Sequence, residues 1–163
     1  MLKYTICFIK DKNKLLLLNR EKNPNIGMWN GVGGKIEQNE TPLECVLREV
    51  YEETGITLLD VESGGKVVWK SNRGDSGMYV FIADLPSGTS YNTPFKVEEG
   101  ILDWKDIDWI LDPLNSGIVG NLREYLPKLI NGEYNLQHNF TYKDGNMLDY
   151  YAEQITEEEV HFN

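Results

Sequence analysis

The chain has 163 residues, with 26 acidic against 16 basic side chains and a net charge of −10. Length and a 40% hydrophobic content fit one domain with a full-sized core. So acidic a chain is a poor partner for duplex nucleic acid or an anionic membrane surface, yet it can take a small anionic substrate where a metal cation mediates.

In chain order, "YTICFI" and "KLLLLNR" flank the turn "KDKN", which predicts a β-hairpin over 3–10 and 14–20. Lys3 and Lys10 interrupt the first run, so it reads as a strand and not as a signal peptide, and runs such as "KLLLL" are too short to span a bilayer. "EKNPNIGMWNGVGG" is a loop dense in Asn, Pro and Gly. A helix follows, then strands at "VVWK" and "GMYVFIADL" separated by the turn "SNRGDSG". "PSGTSYNTPFKVEEG" reads as an exposed loop, "ILDWKDIDWI" as a short strand leading into a turn, and "SGIVGNLREYLPKLING" as a second helix despite Gly120 and Pro127. Two closing strands, "EYNLQHNFTY" and "NMLDYYAEQI", pair around "KDGN", and the tail "TEEEVHFN" is expected to be a loose, solvated end. The expected organisation is a single domain over 1–155, an α/β fold with a mixed sheet between helices, followed by an acidic tail over 156–163. Cys7 and Cys45 fall in apolar settings without metal-ligand spacing, as buried thiols of a reducing, cytoplasmic compartment do. His138 and His161 lack catalytic surroundings and are expected at surface or edge-strand positions, while Trp29, Trp104 and Trp109 read as packing residues.

The first helix is well punctuated. Thr41 is a natural N-cap, Pro42 suits the first helical position, Glu44 completes a capping box and Gly55 supplies the left-handed C-terminal residue. Leu43, Val46, Leu47 and Val50 follow core spacing. Glu49, Glu52 and Glu53 share an adjacent stripe, with Arg48 one turn from both Glu44 and Glu52. Like charges at this spacing cost a helix a few tenths of a kcal/mol per pair, so the crowding needs a compensating partner. Hard carboxylate oxygens beside a Gly-Gly loop suit Mg²⁺, which keeps open positions for substrate phosphates; a plain solvated acidic face is the alternative.

Gly34, five residues, Glu40, seven residues and "REVYEETGI" from Arg48 to Ile56 resemble the complete Nudix box over 34–56. The resemblance implies a Nudix fold, a mixed sheet in an α/β/α sandwich. It also implies Mg²⁺-dependent hydrolysis (with Mn²⁺ able to substitute) of a nucleoside diphosphate linked to another group. "GMWNGVGGK", "YT" in the first strand and the last two strands are similar to MutT-type diphosphatases acting on oxidised purine nucleoside triphosphates, releasing monophosphate and pyrophosphate. That resemblance assigns Arg48, Glu49, Glu52 and Glu53 to the chemistry, and the Gly33 carbonyl with Glu49, Glu52, Glu53 and Glu99 to the metal. Thr5, Arg20, Asn30, Val32, Gly33, Gly34, Lys35 and Asn115 are the implied substrate contacts. Glu52 is the first choice for the general base, with Glu99 or Glu49 as alternatives. Asn30 offers donor and acceptor together and so suits a purine edge. One departure concerns the base: the similar branch carries an acidic pair before the second helix, where this chain has Asn115 and Ser116, with Asp112 upstream. Other expectations in play are a Nudix hydrolase of dinucleoside polyphosphates, sugar nucleotides or capped RNA, and a non-catalytic nucleotide-binding module, as monomer or homodimer.

Overall fold

The computed structural model describes residues 1–160, and His161 falls outside them. Strands β1 (Tyr4–Asp11) and β2 (Lys14–Arg20) form the expected hairpin. After them come β3 (Trp29–Asn30), α1 (Pro42–Thr54), β4 (Glu62–Ser71), β5 (Ser76–Asp84), β6 (Phe95–Val97) and β7 (Gly100–Asp106). The chain closes through α2 (Ile107–Ile110), α3 (Leu122–Ile130), β8 (Leu136–Lys143), β9 (Asn146–Gln154) and α4 (Glu157–Val160). The described strands build one nine-stranded sheet in the order β6-β7-β2-β1-β5-β4-β8-β9, with β3 beside β2. It is mixed, because β1–β5 and β4–β8 are parallel and the other named pairs antiparallel.

Both faces of the sheet are covered, which is why β1 reads as an unbroken apolar run. Ile6 and Phe8 point into a core closed by Leu122, Tyr125, Leu126 and Leu129 of α3. Cys7 and Ile9 point into the opposite core, closed by Val46 and Val50 of α1. Both cysteines are free and buried. Among the described residues no helix is long and apolar enough to cross a membrane.

Several elements depart from the pattern. β4 begins five residues before "VVWK", hidden by Gly64–Gly65, where the register with β5 shifts between Ser63 and Lys66. Gly65 has φ +95°, and a Cβ there would run into the Leu136 carbonyl of β8. The second helix starts at Leu122 and not at Ser116, because 117–119 run alongside β3: Trp29 N–H donates to the Gly117 carbonyl (2.7 Å) and Val119 N–H to the Trp29 carbonyl (3.1 Å). Residues 157–160 of the tail make one helical turn, opened by Thr156, whose hydroxyl accepts from Glu159 N–H (3.3 Å). Leu47 is 38% exposed, contrary to its core spacing, because α1 buries the stripe Pro42, Cys45, Val46, Val50, Glu53 and Thr54.

His138 is also not where the sequence suggests. β8 lies between β4 and β9 with Tyr125 of α3 packed on the imidazole, which is interior, 1% exposed, with Nδ1 2.8 Å from Tyr150 Oη. Burial, helped by Lys128 and opposed by Glu133, depresses its pKa to about 4. A depressed histidine is neutral in the folded state, so its stability is fully present above the unfolded value of about 6.5 and is lost as pH falls toward 4. His138→Gln removes this titration. The stability gap between wild type and variant, from urea midpoints, is expected to move by about 2.5 kcal/mol against wild type between pH 7 and pH 4.5. A gap that does not change with pH contradicts a buried neutral imidazole.

Candidate active site

Helix α1 is built as its punctuation requires. Thr41 Oγ1 accepts from Glu44 N–H (3.1 Å), Glu44 Oε1 accepts from Thr41 N–H (3.4 Å), and Gly55, at φ 78°, donates to the Tyr51 carbonyl (2.8 Å). Glu44 is thereby spent on the cap. Arg48 turns instead to Glu40, which it grips bidentately through Nε (2.6 Å) and Nη2 (2.8 Å). Nη1 donates to Glu49 (2.9 Å) and Glu52 (3.2 Å), and Nη2 also reaches the Lys35 carbonyl (3.2 Å). The bonds from Arg48 hold the Glu40 carboxyl down at about 2. One guanidinium therefore fastens the segment 35–40 to the helix and neutralises part of its acidic stripe.

The segment 31–35 is pressed against β1. Thr5 N–H donates to the Gly34 carbonyl (2.9 Å), and Val32 exchanges both backbone bonds with Cys7 (2.6 and 3.1 Å). A Cβ at Gly33 would collide with the Thr5 carbonyl, and one at Gly34 with the Glu49 carboxylate. Only bare backbone fits between β1 and α1. Gly33 N–H donates to Glu53 Oε2 (3.2 Å), and Glu53 as a residue is 6% exposed. Burial raises its pKa to about 8; the Gly33 N–H and Arg20 pull it down, and the charges of Glu49 and Glu99 push it up. Burial raises Glu49 as well.

A buried carboxyl facing two further carboxylates, with glycine backbone moulded round one of them, is a donor set suited to a hard divalent cation. The side chains do not stand closed on one point: among the described residues no three His, Cys, Asp or Glu are gathered into a ligating group. The reason is Arg48, which draws Glu49 and Glu52 to itself, and Glu52 is left 57% exposed. Glu53 feels the charges of Glu49 and Glu99, while Glu52 is turned out to Arg48.

Beside these carboxylates opens a cleft of about 950 Å³. Thr5, Arg20, Asn30, Gly33, Gly34, Lys35 and Glu53 all line it. Thr5 is nearly buried, its hydroxyl directed at the Gly34 carbonyl (3.4 Å) and 3.3 Å from Cys45 Sγ. Arg20 braces the loop after β2 through the Pro24 (3.0 Å) and Asn23 (3.2 Å) carbonyls. Asn30 Oδ1 accepts from Gly31 N–H (2.9 Å), which leaves its amide N–H₂ as the uncommitted group. Two expected contacts stand apart. Val32 is fully buried with both backbone groups spent, and Asn115 uses Oδ1 on Gly117 N–H (2.8 Å) and Nδ2 on the Trp109 carbonyl (2.9 Å). In the place foreseen for Asn115 the cleft is lined by Val119, Gly120 and Asn121. Trp69, Tyr142 and Met147 line it too; the signal for the last two was the "KDGN" turn, which carries both ends of the closing hairpin to the cleft. Trp29 is held by Lys105, whose Nζ lies 4.5 Å from its ring centroid and 5.0 Å from that of Trp109. A second groove, about 620 Å³ around Asp60, Glu62, Asp84 and Tyr134, contains none of the candidate residues.

Comparison with known proteins agrees with this geometry. A family model described as the NUDIX domain matches residues 2–125. The chain is 32% identical over 144 residues to the Nudix hydrolase YvcI of Bacillus subtilis, covering 85% of each. It is 36% identical over 83 residues to the NAD-capped RNA hydrolase NudC of Vibrio parahaemolyticus, covering 51% of this chain and 31% of that protein. It is 28% identical over 109 residues to the oxidized purine nucleoside triphosphate hydrolase of Mus musculus, covering 66% and 67%. Among solved structures, a MutT protein from Bacillus halodurans superposes with a TM-score of 0.78 at 26% identity, covering 94% of this chain and 98% of that one. With its box intact on α1 and its sheet closed on both faces, the chain belongs to the Nudix family, hydrolases of phosphoric anhydrides that generally use divalent metal ions.

Proposed function

We propose that the protein is a Mg²⁺-dependent pyrophosphohydrolase of purine nucleoside triphosphates, oxidised ones included, releasing the monophosphate and pyrophosphate. The observation that carries this reading is the single cleft on which Glu53, the Gly33–Gly34 backbone, Lys35, Arg20 and Asn30 converge. Its carboxylate end suits metal-held phosphates and its Asn30 end suits a base. The near full-length likeness to a MutT protein and the relative acting on oxidised purine triphosphates support it. The NudC relative favours a second reading, a capped-RNA or dinucleotide substrate, but this chain spans only 31% of that protein.

In this reading Glu53, Glu49 and Glu99 would hold the cation, with the Gly33 carbonyl, and Glu52 stands off from them on Arg48. A bound divalent cation supplies charge neutralisation for the phosphates and a lowered pKa for the attacking water. The chain does the rest. Arg48 offsets part of the cost of ionising Glu49, Lys35 draws the phosphate tail, and a carboxylate not committed to the metal takes the water's proton, Glu52 being the most exposed of them. Turnover of 8-oxo-dGTP, dGTP, dATP, a pyrimidine triphosphate and a dinucleoside polyphosphate, with products identified, tests the reading. A dinucleotide preference of tenfold or more would replace it with the second.

Asn30 is the expected base reader. With Oδ1 tied to Gly31, it offers one contact and not two, so Asn30→Ala is expected to lower kcat/KM for purine triphosphates about fivefold, the low end of a base-edge contact worth ~1–3 kcal/mol. Pyrimidine triphosphates should change less. An equal fall for all nucleotides means that Asn30 only shapes the turn before Gly31.

A further inference from the structure

At the side of the cleft away from α1, two hairpin tips are fastened together. Asn72, in the β4–β5 turn, donates through Nδ2 to Asp144 Oδ1 (2.9 Å), and Asp144 N–H, in the β8–β9 turn, donates back to Asn72 Oδ1 (3.0 Å). The first turn is stiffened from within, since Asp75 Oδ1 accepts from Ser71 N–H (3.0 Å) and Ser71 Oγ accepts from Arg73 N–H (3.0 Å). Arg73 rides on this turn and lines the cleft with Trp69, Tyr142 and Met147. Its guanidinium lies over Gly145, where an added Cβ would stand 3.5 Å from Nη1. Both neighbouring carboxylates, Asp75 and Asp144, are engaged in these turn bonds. In a chain of 26 acidic residues, Arg73 is left without an ion-pair partner among the described residues.

Its position along the cleft follows from the sheet. Lys35 bridges Tyr4 of β1, Tyr4 pairs with Met78 of β5, and Met78 with Val67 of β4. Three interstrand steps of about 4.8 Å therefore separate the Gly33–Lys35 segment from the strand that leads to Arg73. The cleft runs without a break from the Gly33–Lys35 segment to Asn30 and to the wall of Trp69, Arg73 and Met147, so a base whose one edge faces Asn30 has this wall within the same cleft.

A guanidinium carries five donors in a planar fork and no acceptor. It matches the O6 and N7 acceptors of guanine and, in 8-oxoguanine, whose N7 carries a proton and donates, the O6 and O8 carbonyls that remain acceptors. It mismatches adenine, whose edge places an amino donor there. We propose that Arg73 is a specificity-determining residue that donates to the carbonyl acceptors of the base and so selects guanine-type and oxo-purine triphosphates over adenine ones. The Asn72–Asp144 tie fixes the turn that carries Arg73, which lowers the cost of ordering the side chain on binding. The inference rests on the nucleoside triphosphate reading above and names the base class within it.

The test compares wild type, Arg73→Gln and Arg73→Lys on 8-oxo-dGTP, dGTP and dATP at saturating Mg²⁺, with kcat and KM separated and folding checked by circular dichroism. The preference for the two carbonyl-bearing substrates over dATP is expected to fall about tenfold in Arg73→Gln, mostly through KM, within the roughly 5- to 150-fold range of a base-edge contact. Arg73→Lys, which keeps the charge without the fork, should recover only a small part of it. An unchanged preference, an equal loss on all three substrates, or full recovery by lysine overturns the assignment, the last two because charge alone then explains the effect. A wild type that hydrolyses none of the three removes the nucleoside triphosphate reading and the inference with it. An undiminished preference in Arg73→Gln removes the inference alone.

Discussion

Glu53→Gln is expected to lower turnover by roughly 10²-fold or more at saturating Mg²⁺ while the protein stays folded, the scale of losing one strong electrostatic contributor to a transition state. The substitution keeps the size of the side chain and its acceptor for Gly33 N–H, and removes only the charge. Its effect on stability has a definite sign. The Glu53 pKa is raised to about 8, so in the absence of metal the folded protein holds a proton that the unfolded chain has lost. Stability from this group is present below the ordinary carboxylate range and is lost as pH rises through about 8. In EDTA at pH 8 the glutamine variant is therefore expected to melt no lower than wild type. Wild type should gain thermal stability on addition of millimolar Mg²⁺ or Mn²⁺, because a ligand of the native state alone stabilises it by mass action, and the variant should lose most of that gain. A variant retaining more than about a tenth of the activity contradicts the assignment of Glu53 to the metal.

Gly33→Ala should fail for the opposite reason. The residue has φ +156°, and the new methyl would meet the Thr5 carbonyl and, at 2.8 Å, the Ile6 Cα. These are backbone atoms of a central strand and cannot swing aside. A destabilisation of about 3 kcal/mol follows from overpacking and backbone strain together. That corresponds to a melting temperature lowered by about 10 °C in a domain of this length. Activity should fall as well, since the segment that carries the Gly33 N–H to Glu53 has to move. Thermal melting and turnover measured on both variants separate the two cases: Glu53→Gln loses chemistry at full stability, and Gly33→Ala loses both. A Gly33→Ala protein as stable and active as wild type contradicts the close packing of 31–35 on β1.

The helix and its carboxylates were legible in the sequence because their determinants are local. A capping box, a C-terminal glycine and a three-to-four-residue spacing act within one helix, and α1 begins and ends where they place it. The choice of salt-bridge partner was not legible, since it depends on the loop folding back. Glu44 and Glu40 are both within reach of Arg48 on paper, and the cap takes the first while the 35–40 segment delivers the second. The same cause hid β3, whose two residues are a strand only because β2 and the 117–119 segment lie on either side. His138 was misplaced because nothing within β8 reveals its parallel pairing with β4 or the packing of Tyr125 from α3 on the imidazole. Leu47 shows the limit of periodicity: two overlapping stripes were available on α1, and packing against β1 and the 31–35 segment selected the one holding Cys45 and Glu53.

The most direct measurement of the central claim is hydrolysis of 8-oxo-dGTP and dGTP in ¹⁸O-labelled water, followed by ³¹P NMR and mass spectrometry, with Mg²⁺ and with EDTA. Turnover is expected only with the metal, with nucleoside monophosphate and pyrophosphate as products, a single ¹⁸O in one of them, and loss of the reaction in Glu53→Gln. Turnover that persists in EDTA, products of diphosphate and orthophosphate, or full activity in Glu53→Gln would contradict it.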